Sequence, residues 1–375
     1  MVALAAGCDG AVRGLSESKI DAGAGSSHRN SYDASSSEAG DAGFDAGLPR
    51  WCPDADVGAC MNGPCENIAP GACFPQFFVV DGTSVDWLDN NAGGLMTVPL
   101  SGGTPTTLVP RVASPDQLFL GLAVDTSGIY CAVTADVDAS SAPQSPPGWP
   151  TDVLALSKLD GTSTRIVRDP SAMTPLASDG AQIFWTDGAG NVLKLAHSGG
   201  SVVTLASGLG IDVSGGGSGV AVDAISVYWL TWATLGDTTV MKVAVEGGAP
   251  VTLAPTAWPE GTMSSGGMRL AIDSANVYWT VAGVGASIPG TLLSVPLGGG
   301  ATTTLATGLD TPSALAADGT NVYWVSPTQG TVMKVPVGGG AITTLAWNQD
   351  DPTDIALDAT SVYWATDSAI LRTPK

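Results

Sequence analysis

Ser313-Ala314-Leu315-Ala316-Ala317-Asp318-Gly319-Thr320-Asn321-Val322-Tyr323-Trp324-Val325 decides the fold of this 375-residue chain. Two runs of alternating or β-branched residues flank Asp318-Gly319-Thr320-Asn321, whose Asp and Gly suit a tight reversal. Two more runs follow, Thr331 to Val337 and Ala341 to Ala346, separated by Gly338-Gly339-Gly340, which supplies positive-φ positions at no steric cost. The phrase at the first reversal, D-x-x-x-[VI]-[YF]-W, is written seven times with small changes: Asp81 to Trp87, Asp125 to Cys131, Asp179 to Trp185, Asp223 to Trp229, Asp273 to Trp279, Asp318 to Trp324 and Asp358 to Trp364. Self-similarity at a period of about 40 to 50 residues marks a repeat architecture. Four short antiparallel strands per period make one blade of a β-propeller.

Blades pack face to face, so the middle strands are buried on both sides and Val, Tyr and Trp can follow one another without polar alternation. Six of the 11 tryptophans stand in the repeated phrase and read as packing between blades. Cys131 holds that place in the second copy and reads as a buried free thiol. The seventh copy ends at its third strand, Ala369 to Pro374. Elsewhere the fourth strand has an aliphatic residue thirteen positions before the next anchor Asp, as from Leu345 to Asp358, and the same count back from Asp81 gives Ile68. The expected fold is therefore all-β: a seven-bladed propeller of four-stranded antiparallel blades over residues 75–375, closed by residues 66–70 pairing with 369–373. Such pairing protects an open sheet edge.

Ile183-Phe184-Trp185-Thr186-Asp187, followed by Val192-Leu193-Lys194-Leu195 and Gly199-Gly200, resembles the YWTD repeats of low-density-lipoprotein-receptor-type propellers and their bacterial relatives. The resemblance covers residues 65–375, and only this copy carries the full Trp-Thr-Asp. It implies the scaffold and is silent on ligand. The family usually has six blades, against seven anchors here.

Ahead of the repeats, residues 1–8 end in Ala5-Ala6-Gly7-Cys8, which resembles a truncated lipobox with Cys8 as the lipidated residue. Residues 9–50 are rich in Ala, Gly, Ser and Asp without apolar periodicity, the composition of a disordered tether. Residues 51–74 hold Cys52, Cys60, Cys65 and Cys73 at spacings unlike those of zinc sites, so two disulfides are expected, with three pairings open. They would brace the closing strand on the seam of the ring. The sequence thus reads as an exported protein, lipid-anchored at the bacterial cell envelope or extracellular, touching membrane only through Cys8, and monomeric.

The net charge of -21 excludes a nucleic-acid partner, which needs clustered Lys and Arg. Lys158, Lys194, Lys242 and Lys334 are assigned to one repeated strand position, shared with Thr97, Ser294 and Arg372, and read as a solvated edge. His197, the only His of the repeat region, reads as a solvated turn residue. No G-x-S-x-G, H-E-x-x-H or P-loop is present. Arg111, Arg168 and Arg269 fall near one face, but every Tyr of the repeats is an anchor residue, leaving none for a sialidase-type nucleophile.

Ligand-face candidates come from the loops where copies disagree. They are Trp149 and Trp232, Trp258 and Glu260, and the segment with Trp347, Asp350, Asp351 and Asp354. The leading functional expectation is a non-enzymatic module that binds an unidentified protein or glycan, with no cofactor. Two alternatives stand beside it: a metal-dependent propeller hydrolase or lactonase with an acidic site at the channel mouth, and a lectin-like binder using exposed tryptophans.

Overall fold

A computed structural model describes residues 58–375 apart from 62, 71, 73–74, 90–93, 111–118, 126–127, 135–150, 159, 170–175, 209–218, 233–237, 257–268 and 282–289. The segments read as a lipobox with Cys8 and as a tether, and Cys52, Cys73, Trp149, Trp258, Glu260 and Arg111, lie outside the described residues.

The chain opens with two short strands, β1 (Ala59–Cys60) and β2 (Glu66–Asn67). Blade 1 follows as β3 (Pro75–Val80), β4 (Ser84–Asp89), β5 (Gly94–Pro99) and β6 (Thr106–Val109), and blade 2 as β7 (Phe119–Val124), β8 (Ile129–Thr134), β9 (Thr151–Leu156) and β10 (Ser163–Asp169). Blade 3 comprises β11 (Ala177–Ser178), β12 (Gln182–Thr186), β13 (Val192–Ala196) and β14 (Val203–Ala206), and blade 4 comprises β15 (Val220–Val222), β16 (Ser226–Trp232), β17 (Thr238–Ala244) and β18 (Val251–Thr256). Blade 5 is β19 (Leu270–Ile272), β20 (Asn276–Val281), β21 (Gly290–Pro296) and β22 (Thr303–Leu309). Blade 6 is β23 (Ala314–Ala317), β24 (Asn321–Ser326), β25 (Thr331–Pro336) and β26 (Thr343–Trp347), and blade 7 supplies β27 (Asp354–Leu357), β28 (Ser361–Ala365) and β29 (Ile370–Pro374). First strands touch from blade to blade, and β27 touches β3, which closes the ring.

Closure follows the thirteen-residue count. Glu66 pairs with Arg372 and Asn67 with Leu371, and the N–H of Ile68 donates to the Ile370 carbonyl at 3.0 Å. The Arg372 guanidinium also grips the Glu66 carboxylate at 2.8 and 2.9 Å. A feature absent from the sequence pattern joins it: β1 adds a fifth strand to blade 6, with Ala59 opposite Trp347 and Cys60 opposite Ala346. The Cys60–Cys65 disulfide links this added strand to the closing strand, so the N-terminal strap spans the outer edges of two blades.

The six anchor tryptophans are all among the fully buried side chains, together with Tyr228, Tyr278, Tyr323 and Tyr363. Clusters cross the blade boundaries as expected: Phe184 with Trp229, Tyr228 with Trp279, Tyr278 with Trp324, and Tyr323 with Trp364. Cys131 is buried and free, and burial pushes its thiol up to about 12.

Candidate functional site

The lower face of the ring carries the anchor turns. Asp223 shows their chemistry: its Oδ1 accepts the N–H groups of Ile225 and Ser226, both at 2.7 Å, and its Oδ2 accepts the Tyr228 hydroxyl at 2.9 Å. The same aspartate–tyrosine bond recurs at 2.7 Å in Asp273–Tyr278, 3.0 Å in Asp318–Tyr323 and 2.7 Å in Asp358–Tyr363. Burial, then the neighbouring carboxylate, pushes Tyr228 up to about 12. These phenols stay protonated as donors.

Strand register overturns the reading of the lysine position. Phe184, Tyr228, Tyr323 and Tyr363 face Lys194, Lys242, Lys334 and Arg372, but Tyr130 faces Ala155, so Lys158 does not belong to that position. Nor is the position a solvated edge. Lys194 donates to the Val245 carbonyl and Lys242 to the Leu297 carbonyl, both at 2.6 Å, and Arg372 donates to the Leu100 carbonyl. Each bond crosses to the following blade.

Lys158 lies three residues further on, at a second repeated position that reads Leu100, Lys158, His197, Val245, Leu297, Val337 and Lys375 around the ring. Its three basic members reach back to the anchor Asp of the preceding blade. Lys158 grips Asp81 and the fully buried Asp86, His197 Nε2 lies 3.3 Å from Asp125 Oδ2, and Lys375 Nζ lies 2.7 Å from Asp318 Oδ2. Burial opposes ionisation of Asp318, but Lys375 and the turn amides outweigh it and hold the carboxyl down at about 2. Aligning the copies three residues past the strand position would have shown this second series.

His197 is therefore not a solvated turn residue. Its side chain is 13% exposed and stacks on the Tyr130 ring with centroids 4.3 Å apart. Ser178 Oγ lies 3.1 Å from its Nε2, and that hydroxyl donates to Asp125. Ser, His and Asp thus meet, yet a single imidazole nitrogen faces both partners. A relay needs the two nitrogens divided between acid and nucleophile, so this cluster is a clasp between blades 2 and 3.

The upper face is built differently. Trp347 is 40% exposed at the end of β26, and Asp350 and Asp351 are exposed in the loop that follows. Gln349, 5% exposed, fixes this loop from below. Its Nε2 donates to the Trp347 carbonyl at 3.0 Å, its Oε1 accepts the Trp364 indole N–H at 2.8 Å, and its own N–H donates to the Gly330 carbonyl at 2.9 Å. Gly330 must be glycine here, since at φ +58° a Cβ would lie 2.5 Å from the Gln349 carbonyl oxygen.

Asp354 parts from its acidic neighbours and sits half-buried at the head of β27. Its oxygens accept the N–H of Ile355 at 2.9 Å and of Phe78 at 3.3 Å. Burial pushes the carboxyl up to about 6, against the pull of Arg269, whose Nε donates to the Ser313 carbonyl. Asp367 was not foreseen: burial, then Asp351 and Asp350, raises its carboxyl, so these three share one field. Trp232 ends β16 opposite Thr238. Arg168 holds Asp152 at 2.8 and 3.0 Å. Among the described residues no three His, Cys, Asp or Glu converge on a metal position.

No protein-family model and no curated protein sequence matches this chain. Solved structures do. Virginiamycin B lyase from Staphylococcus aureus matches with a TM-score of 0.54 at 13% identity, over 82% of this chain and 97% of that one. YCF48 bound to D1 peptide matches at 0.54 and 14% identity, over 85% and 97%. BamB from Moraxella catarrhalis matches at 0.50 and 13%, over 79% and 92%. At these identities the likeness establishes the propeller fold alone.

Proposed function

We propose that this chain is an exported, non-enzymatic binding module: a YWTD-like propeller on a tether, held at the bacterial cell envelope by lipid at Cys8, that engages a protein through its upper face. One contrast carries the reading. On the lower face Lys158, His197, Lys375, Lys194, Lys242 and Arg372 spend their charge on bonds across the seams, whereas the upper loop offers exposed Trp347, Asp350 and Asp351 on a rigid support. Exposed aromatics over a fixed backbone suit recognition at low entropic cost. The Cys60–Cys65 disulfide supports an oxidising compartment, and the peptide complex formed by YCF48 supports protein recognition by this architecture.

A photo-crosslinker placed at Trp347, compared with one at the exposed lower-face Ile225, tests the face. Discrete adducts in cells from position 347 alone are expected; adducts from 225 alone, or none from 347, overturn it. Cys8→Ser is expected to move the protein from the membrane to the soluble fraction, and unchanged fractionation removes the anchor. The exposed Trp347 also favours a glycan ligand as a second reading. On a glycan array that reading requires binding that vanishes in Trp347→Ala.

A further inference from the structure

The outer strand of a blade leaves a row of backbone N–H and C=O groups unpaired, and proteins blunt such edges with charge, proline, shortness or a covering strand. Most outer strands described here obey. β26 is covered by β1, and β29 by the two-residue β2. β10 carries Arg165 and Arg168, β18 contains Pro255, and β6 and β14 are four residues long. Among the described residues β22 is the exception: seven residues, Thr303–Leu309, with neither charge nor proline, interrupted only by register shifts at Leu305 and Gly308.

Thr303-Thr304-Leu305-Ala306 in β22 repeats Thr343-Thr344-Leu345-Ala346 in β26, the strand to which the chain adds its own fifth strand. There Cys60 lies opposite Ala346, and the Met61 N–H donates to the Leu345 carbonyl at 2.7 Å. Among the described residues the same edge sequence is thus occupied in blade 6 and open in blade 5. Beside β22 runs a groove lined by Thr304, Leu305, Ala306, Thr307, Gly340 and Ile342, with Ile342 41% exposed. This groove follows the seam between blades 5 and 6, where Ser294 and Val337 hold the two positions that carry basic residues at other seams.

We propose that β22 is a docking edge for an extended peptide of a partner protein, which adds as a fifth strand of blade 5 and seats an apolar side chain beside Ile342. Backbone bonds would supply affinity and the groove selectivity, as in other strand-addition complexes. The segment Gly58-Ala59-Cys60-Met61, which fills the equivalent edge of blade 6, defines the chemistry: small, uncharged residues beside one longer apolar one. A net charge of -21 disfavours a second copy of this chain and favours an uncharged or basic partner. This edge is separate from the upper face, so it can stand or fall without the crosslinking result at Trp347.

The test is amide NMR of the full chain titrated with Gly-Ala-Ser-Met-Asn-Gly, a copy of residues 58–63 with Cys60 replaced by Ser. Saturable shifts are expected at the amides of Leu305, Thr307 and Ile342. They should disappear in Thr307→Pro, a change with internal precedent: Thr307 lies opposite Thr291 as Pro255 lies opposite Thr239. Thr307→Lys, which blunts the edge by charge, provides a second variant should the proline variant misfold. The proposal is overturned by absent shifts, by shifts confined to residues 345–347, or by shifts that survive both variants. Peptide-independent, concentration-dependent shifts would overturn it in favour of self-association.

Discussion

The lower seams of the ring and the upper loop that follows β26 hold their charged residues in opposite ways. Below, Lys158, His197 and Lys375 reach back to anchor aspartates, and Lys194, Lys242 and Arg372 reach forward to carbonyls of the following blade. Above, burial, and after it Asp351 and Asp350, raise the Asp367 carboxyl, with Trp347 exposed on the loop that carries those two aspartates. Opposite charges that interlock favour cohesion. Like charges gathered on a supported loop store repulsion that a cationic partner would relieve. The lower face is fastening, and the upper face is what remains for a partner.

The sharpest way to break this comparison is to cut packing between two blades and on the upper loop. Trp324→Ala, in the cluster joining blades 5 and 6, should lower urea-measured stability by about 3–5 kcal/mol. Trp347→Ala, 40% exposed, should cost less, about 1–2 kcal/mol. Equal losses would erase the distinction. Next in size, the Cys60→Ser/Cys65→Ser pair should cost about 2 kcal/mol, read by the same titration, because the disulfide closes a short loop.

Acidity separates the regions with opposite sign. The Asp354 carboxyl is raised to about 6, above an unfolded value of about 4, so its charge is unfavourable at neutral pH. That penalty lifts as pH falls from about 7 to about 4. Asp354→Asn should therefore gain about 1–2 kcal/mol near pH 7.5 and nothing near pH 4. Asp318, held down at about 2, behaves oppositely: its stabilisation is complete above about 4 and is lost as pH falls through about 2. Thermal melts of Asp354→Asn and Lys375→Met across pH check both signs. A Lys375→Met deficit should be present at neutral pH and shrink at the acid end.

The scaffold was legible because its signal is periodic. Seven anchors number the blades, and the interval from Leu345 to Asp358, transferred to Asp81, located the closing strand where Glu66 and Asn67 pair. β1 was not legible, since Ala59–Cys60 is two residues without strand pattern and owes its pairing to the edge of β26. Lys158 departs from the expected position because side-chain destination depends on register: Tyr130 faces Ala155 while Phe184 faces Lys194, and the variable loop ahead of β9 hides that offset unless the copies are aligned from their third turns. The acidic loop was partly seen. Asp350 and Asp351 remain outside, near half-buried Asp367 on the next hairpin, while Asp354, four residues from Asp350, turns inward to the N–H of Phe78.

Thermal unfolding of two neutralised variants, each keeping the fold's packing, tests the central contrast most directly. One is Asp350→Asn/Asp351→Asn/Asp367→Asn above; the other is Lys194→Met/Lys242→Met below. The account predicts a Tm equal to or above that of the parent for the upper variant, and a clear fall for the lower one. A lower variant that melts with the parent, or an upper variant that melts well below it, would contradict the assignment of fastening to one face and recognition to the other.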